Sequence, residues 1–277
     1  MDSLKFSRIN TVIRVYETRL LTKDFFNSMI AAENYNEAVD VLCSTEYSKY
    51  FEEAKNKEDF YSILDIALEE IYREIYKLTP EKGIVDFIAL KYDYHNLKVI
   101  LTERFLEKDL SYARAKLGSI NKDKIKNAVE TLNFKELSKD MGNAVKLAIK
   151  SYEENQNLKN IDVLLDKLML EEMKTISNKL ACTAVSSFLQ AVTVINNKKL
   201  LIRSGENLEV SEKNLDDYLM DKIKLFKINP FGMESILGFL YAKETEIKNI
   251  RIILAGKINN IENNMIFERL RQGYEDN

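Results

Sequence analysis

GFLYAKETEIKNIRIILAGK, residues Gly238 to Lys257, repeats the arrangement of ALKYDYHNLKVIL, residues Ala89 to Leu101. With Asn249 set against Asn96, the residues Ala242, Glu246, Ile250, Arg251, Ile253 and Leu254 fall on Ala89, Asp93, Leu97, Lys98, Ile100 and Leu101. At 3.6 residues per turn, Ala242, Glu246, Asn249 and Ile253 share one helical stripe, and so do Ala89, Asp93, Asn96 and Ile100. A small residue, an acid and an amide in line let a neighbouring helix come close and offer it polar groups to bond. VINNKKLLI, Val194 to Ile202, is a degenerate third copy that keeps Asn197, Lys199 and Leu201 but carries Val194 in the acid's place. Three related helices, one per repeated unit, are therefore expected.

Composition points the same way. Two prolines and eight glycines in 277 residues leave little to interrupt helix propagation, so the chain reads as all-α. With 45% apolar residues it can bury a substantial core. The balance of 41 basic against 44 acidic side chains gives a net charge of −3 and no global field to recruit nucleic acid or an anionic membrane. Cys43 and Cys182 fit no zinc or redox spacing and read as buried, reduced thiols. No secretory leader opens the sequence and no window approaches 18 uncharged apolar residues, so a cytosolic, non-spanning chain is expected.

Along the chain, Ser7 to Leu21 reads as a helix, followed by a block of short helices punctuated at Asn34 and Asn36, with Ser44 or Thr45 as a cap for a helix from Glu46. Asp59 to Leu78 is amphipathic. Thr79-Pro80-Glu81 then opens a helix to about Glu107, roughly 40 Å long at 1.5 Å per residue. A second unit follows: a cap at Asn121, a capping-box spacing in Asn133-Phe-Lys-Glu136, and long helices over 140–155, 160–180 and 181–203. The third is shorter, with a cap at Ser211, a turn at Asn229-Pro230, the quoted helix from about Met233, a last helix over 262–272 and a fraying end. The boundaries predicted are 1–107, 108–204 and 205–277.

Groups able to do chemistry are scarce. The single histidine, His95, sits within a repeated helix where the other copies have Asn196 and Lys248, and reads as a surface or interface residue. Ala255-Gly256-Lys257 lacks the leading glycine and the strand of a phosphate loop. Asp162 and Asp166 lie one helical turn apart; they read as a solvated or helix-packing pair, since a divalent cation would need several more oxygen ligands. No catalytic, cofactor or metal residue is assigned. The repeated polar stripe, Asp93, Asn96, Lys98, Asn197, Lys199, Glu246, Asn249 and Arg251, reads as structural: buried acids and amides need partners, and three equivalent helices could satisfy one another, with the cations two residues beyond each asparagine assisting.

Four stretches carry a family resemblance. They are RVYETRLL with TKDFFNSMIAAENYNEAVDVLCSTEY; YDYHNLKVIL; NIDVLLDKLMLEEM leading to NNKKLLIRS; and ILGFLYAKETEIKNIRIILAGKINNI with IFERLRQGY. In order and spacing the chain resembles the C subunit of the V-type or A-type rotary ATPase/ATP synthase, the prokaryotic counterpart of the d subunit of the eukaryotic vacuolar ATPase. Val194 and the compact third unit depart from the pattern. The resemblance implies three similar helical units around a pseudo-threefold axis, forming a funnel. It implies a non-catalytic part of the central stalk or rotor, one copy per complex, that joins the central shaft to the membrane proteolipid ring and so links ATP hydrolysis or synthesis to H+ or Na+ transport. Its place would be peripheral, on the cytoplasmic face of the membrane, held by protein contacts. The composition is shared by another class, a soluble all-helical adaptor or scaffold.

Overall fold

Helix formation runs as the composition predicts. In the computed structural model, which describes residues 3–203, 211–228 and 232–274, every regular element is helical and no strand occurs among those residues. The helices are α1 (Ser7–Glu17), α2 (Lys23–Ala31), α3 (Tyr35–Leu42), α4 (Ser48–Glu52), α5 (Phe60–Leu78), α6 (Gly83–Leu106), α7 (Lys122–Thr131), α8 (Lys139–Asn155), α9 (Leu158–Leu180), α10 (Thr183–Arg203), α11 (Glu212–Lys224), α12 (Glu234–Ile258) and α13 (Asn263–Arg269). Three short 3₁₀ turns, Ser3–Phe6, Ser111–Ala113 and Leu225–Ile228, complete them.

Most helix ends obey local chemistry. Thr22, Asn34, Asp59, Asn121, Ser138, Asn157 and Ser211 each accept a hydrogen bond from a first-turn backbone N–H, satisfying donors the helix itself leaves free. Three expected starts move. Thr79-Pro80-Glu81 caps no helix: Thr79 ends α5 with its hydroxyl donating to the Ile75 carbonyl, and α6 starts at Gly83 without a side-chain cap. Asn133-Phe-Lys-Glu136 opens no helix: Asn133 folds back onto the Lys135 N–H, and α8 starts later because Ser138 both caps it and donates to buried Glu172. Likewise α4 begins at Ser48 without a side-chain cap, while Thr45 accepts from the Tyr47 N–H ahead of it. The long helix expected to reach Glu107 ends at Leu106, with Glu107 itself in the left-handed region at φ 51°. The turn expected at Asn229-Pro230 lies outside the described residues.

The chain divides into two compact units. One joins Met1–Pro80 to Glu209–Asn277, and the other is Glu81–Leu208. In the continuous unit α6 packs on α7 and α9, and α9 also carries α8 and α10. In the discontinuous unit α12 is the centre, packed on α5, α1, α2, α3, α11 and α13. Seventeen of its 25 residues are buried, which makes it a helix surrounded on all sides rather than a surface amphipath. α6 groups with the segment that follows it rather than with α1–α5. Cys43 and Cys182 are unbridged and half-buried rather than fully buried.

Candidate functional site

The repeated polar stripe becomes, in each unit, a grip on a short helix. In the continuous unit Asp93 is fully buried on α6 and its carboxylate accepts from the Ser119 N–H (3.0 Å), the Ser119 hydroxyl (2.6 Å) and the Ile120 N–H (3.0 Å). These donors stand immediately before Asn121, the cap of α7, where a helix favours negative charge. Gly118 permits the approach: its φ is +150°, and a Cβ there would lie 2.4 Å from Asp93 Oδ1. Burial pushes the Asp93 carboxyl up to about 6, against the hydrogen bonds it accepts, and the neighbouring Glu172 adds to the rise. Asn96 Nδ2 donates to the carbonyls of Ala115 (3.2 Å) and Leu117 (3.4 Å). Lys98 meets Asp166 at 2.8 Å and Asp162 at 3.5 Å on α9. Near the end of α6, Arg104 donates to the carbonyl of Val129 in the last turn of α7.

The discontinuous unit repeats this plan across the chain ends. Glu246 on α12 accepts from the Leu21 N–H (2.5 Å), just before Thr22, the cap of α2. Asn249 donates to the Arg271 carbonyl (2.9 Å) and accepts from its N–H (2.8 Å). Arg251 meets Asp65 on α5 at 2.5 Å. Lys257 donates to the carbonyls of Ile30 (2.6 Å) and Ala32 at the end of α2, and to Asn263. Acid, amide, cation and second cation thus hold equivalent places: 93, 96, 98 and 104 in one unit, 246, 249, 251 and 257 in the other.

The two grips differ in charge. Glu246 also receives the Tyr47 hydroxyl (2.7 Å) and the ammonium of Lys243 (2.7 Å), which in turn reaches Glu46 at 2.6 Å. Burial works against that ammonium, but Tyr47 and the carboxylates of Glu246 and Glu46 outweigh it and hold its pKa well above the usual lysine value. Burial also drives the Tyr47 hydroxyl far up, so it remains a donor. Asp93 faces no such cation; its equivalent to Lys243 is Leu90. Instead the nearby Glu172, itself raised by burial, accepts from the Tyr94 hydroxyl (2.8 Å) and from Ser138 (2.5 Å).

The stripe residues of α6 and α12 find partners within their own units: backbone groups of the segment after α6, the backbone of Leu21 and Arg271 for α12, and the acids of α9 or α5. The third copy is different. On α10, Val194 and Asn197 are exposed and Lys199 is half-buried. Gly205, where the second cation would fall, lies outside the described residues. Arg104 and Lys257 were missed because the recognised repeat ended at Leu101. A signal existed in Thr22-Lys-Asp24 and Asn121-Lys-Asp123, matching caps of the two gripped helices. His95 is exposed and bonds the Ala113 carbonyl, while Asp162 and Asp166 both meet Lys98 and act as a helix-packing pair.

Among the described residues no group of three His, Cys, Asp or Glu side chains is placed to hold a metal ion, and no helix is long and apolar enough to cross a membrane. What these clusters do chemically is neutralise the ends of one helix with the side chains of another. The comparisons with known proteins agree with an assembly part. The C subunit of the V-type sodium ATPase of Enterococcus hirae is 24% identical over 328 aligned positions, covering 98% of this chain and 100% of that protein. The C subunit of the A-type ATP synthase of Methanocaldococcus jannaschii is 23% identical, covering 95% of this chain and 85% of its own length. The profile of the ATP synthase (C/AC39) subunit family matches residues 9–211 and again 180–269. With nearly its whole length matched, the chain belongs to the ATP synthase (C/AC39) subunit family.

Proposed function

We propose that this chain is the non-catalytic coupling element between the central shaft and the membrane proteolipid ring of a V/A-type rotary ATPase, present once per complex and bound peripherally on the cytoplasmic face. The observation that carries this reading is the family match along almost the entire chain, with relatives named as the C subunit of V-type and A-type complexes. The architecture supports it. A part that transmits torque must resist shear between its elements, and here two long helices each clamp a short helix by both of its ends. The three-unit plan, 1–107, 108–204 and 205–277, and the funnel around a pseudo-threefold axis belong to the same proposal. They are supported by the overlap of the two family matches over 180–211, the stretch that contains the degenerate third copy.

Deletion of the chain in its source organism tests the reading. ATP hydrolysis by the soluble head is expected to persist while ATP-driven ion transport is lost, and the tagged chain is expected to bring down ring and shaft proteins from detergent extracts. Ion pumping that survives a verified deletion would overturn the coupling role, and recovery of soluble proteins alone would favour the adaptor class.

A further inference from the structure

The pseudo-repeat serves as an internal control for surface chemistry. On α9, Asp162 and Asp166 both face Lys98. On α5 the equivalent residues are Tyr61 and Asp65, and Arg251 meets Asp65 at 2.5 Å while its guanidinium lies 5.8 Å from the Tyr61 ring centre. Gly256 stands where α6 has Glu103, and Lys248 where it has His95. Relative to its counterpart, this face of the discontinuous unit has therefore lost two acids and gained a cation. A cavity of about 360 Å³ opens there, walled by Ile252, Ile266 and Tyr61 and lined by Lys248, Arg251 and Arg269 with no acid among its lining residues. The cavity on the other unit, about 600 Å³, is balanced: four acids, Glu103, Glu107, Asp109 and Glu130, against four cations.

The charges are incompletely answered. Arg251 Nε is shielded from solvent and has no hydrogen-bond partner. Arg269 has no acidic partner among the described residues. Lys248 pairs with Asp216 but its side chain stays 44% exposed. The exposed guanidinium of Arg269, beside Lys248 and Arg251, suits a carboxylate, which it can bind through two parallel hydrogen bonds. The isoleucine and tyrosine walls suit the apolar neighbours of that carboxylate better than bulk water.

We propose that this cavity binds a glutamate or aspartate side chain set between apolar residues on a partner protein. Such binding is independent of the rotor reading, because the isolated chain can take up the segment whether or not it couples ATP hydrolysis to transport. The test is a titration of the full chain with the blocked peptide acetyl-Leu-Leu-Glu-Leu-Leu-amide, followed by the methyl NMR signals of Ile252, Ile261 and Ile266. Saturable shifts at these methyls are expected, with binding weaker by about tenfold or more for the glutamine version of the peptide. A similar loss is expected for the double variant Lys248→Gln, Arg269→Gln; Arg269 is exposed and Asp216 keeps its bond from Arg271 when the lysine is lost, so thermal unfolding should be unchanged. Equal binding of the Glu and Gln peptides, or no response at these methyls, would overturn the proposal. So would acetate binding as tightly as the peptide, since the site would then take a free anion.

Discussion

Asp93 and Glu246 occupy the same place in two copies of one motif, yet only Glu246 has a lysine beside it. Burial raises the Asp93 carboxyl to about 6, so the folded chain holds this proton more tightly than the unfolded chain does. The sign follows: the contribution of Asp93 to stability grows as pH falls through about 6, levels off below the unfolded value near 4, and is lost as pH rises again. This reverses the usual behaviour of an ion-paired carboxylate, and Glu172, also raised by burial, acts in the same direction. Asp93→Asn is expected to flatten the pH dependence of stability between pH 4 and 7, read by urea unfolding at several pH values; an unaltered slope would assign the effect elsewhere. The paired asparagines differ too. Asn249 satisfies both the N–H and the carbonyl of Arg271, whereas Asn96 only donates and its buried Oδ1 has no partner. Asn249→Leu should therefore cost about 2–3 kcal/mol in denaturant unfolding and Asn96→Leu distinctly less, because the first strands a backbone N–H while the second strands only carbonyls and removes an already unpaired Oδ1. That both asparagines would need partners was legible from the repeated polar stripe. Their partners were not, because Arg271 and Leu117 are brought to them by chain turns that no helical period encodes.

At the level of elements, the recurring device is one helix holding another by its two electrical ends. A short helix exposes unpaired N–H groups at its start and unpaired carbonyls at its finish, with partial positive and negative charge. α6 answers these for α7 with Asp93 and Arg104, and α12 answers them for α2 with Glu246 and Lys257. Helices of nine and ten residues are marginal by themselves, so such contacts decide whether their last turns stay formed. Lys257→Met keeps the aliphatic stem but strands the carbonyls of Ile30 and Ala32. A loss of about 2–3 kcal/mol is expected, with faster amide exchange confined to α2 and its surroundings and none in α7. Uniform exchange gains over both helices would contradict a local clamp. The helices themselves were readable from caps and apolar spacing, and the caps at Asn121 and Ser211 stand where expected. The false start at Asn133 shows where local reading fails: the backbone pattern permits a cap, but the tertiary bond from Ser138 to Glu172 places the helix start elsewhere.

For the whole molecule, the decisive fact is that one unit is assembled from both ends of the chain. The repeated helix α6 packs on the block that follows it, and for α12 that role is filled chiefly by the N-terminal block, α1–α5, so this one unit is closed by both chain ends. Repetition was visible in the sequence, but closure was not, since a linear reading assigns α6 to the block preceding it. The middle copy shows what happens when the rule lapses: Val194 replaces the acid, and only residues 204–233 separate α10 from α12. Closure makes the stability of α12 depend on residues more than 200 positions away. Ile13 on α1 is wholly buried in the unit centred on α12, and Ile13→Ala opens a cavity worth about 2–5 kcal/mol. Native-state hydrogen exchange should show that loss across 234–258, including the Glu246 and Asn249 turn, while the amides of 83–106 keep their protection. If α6 and α12 instead lost protection equally, the two units would unfold as one body, and torque entering either would be borne by both.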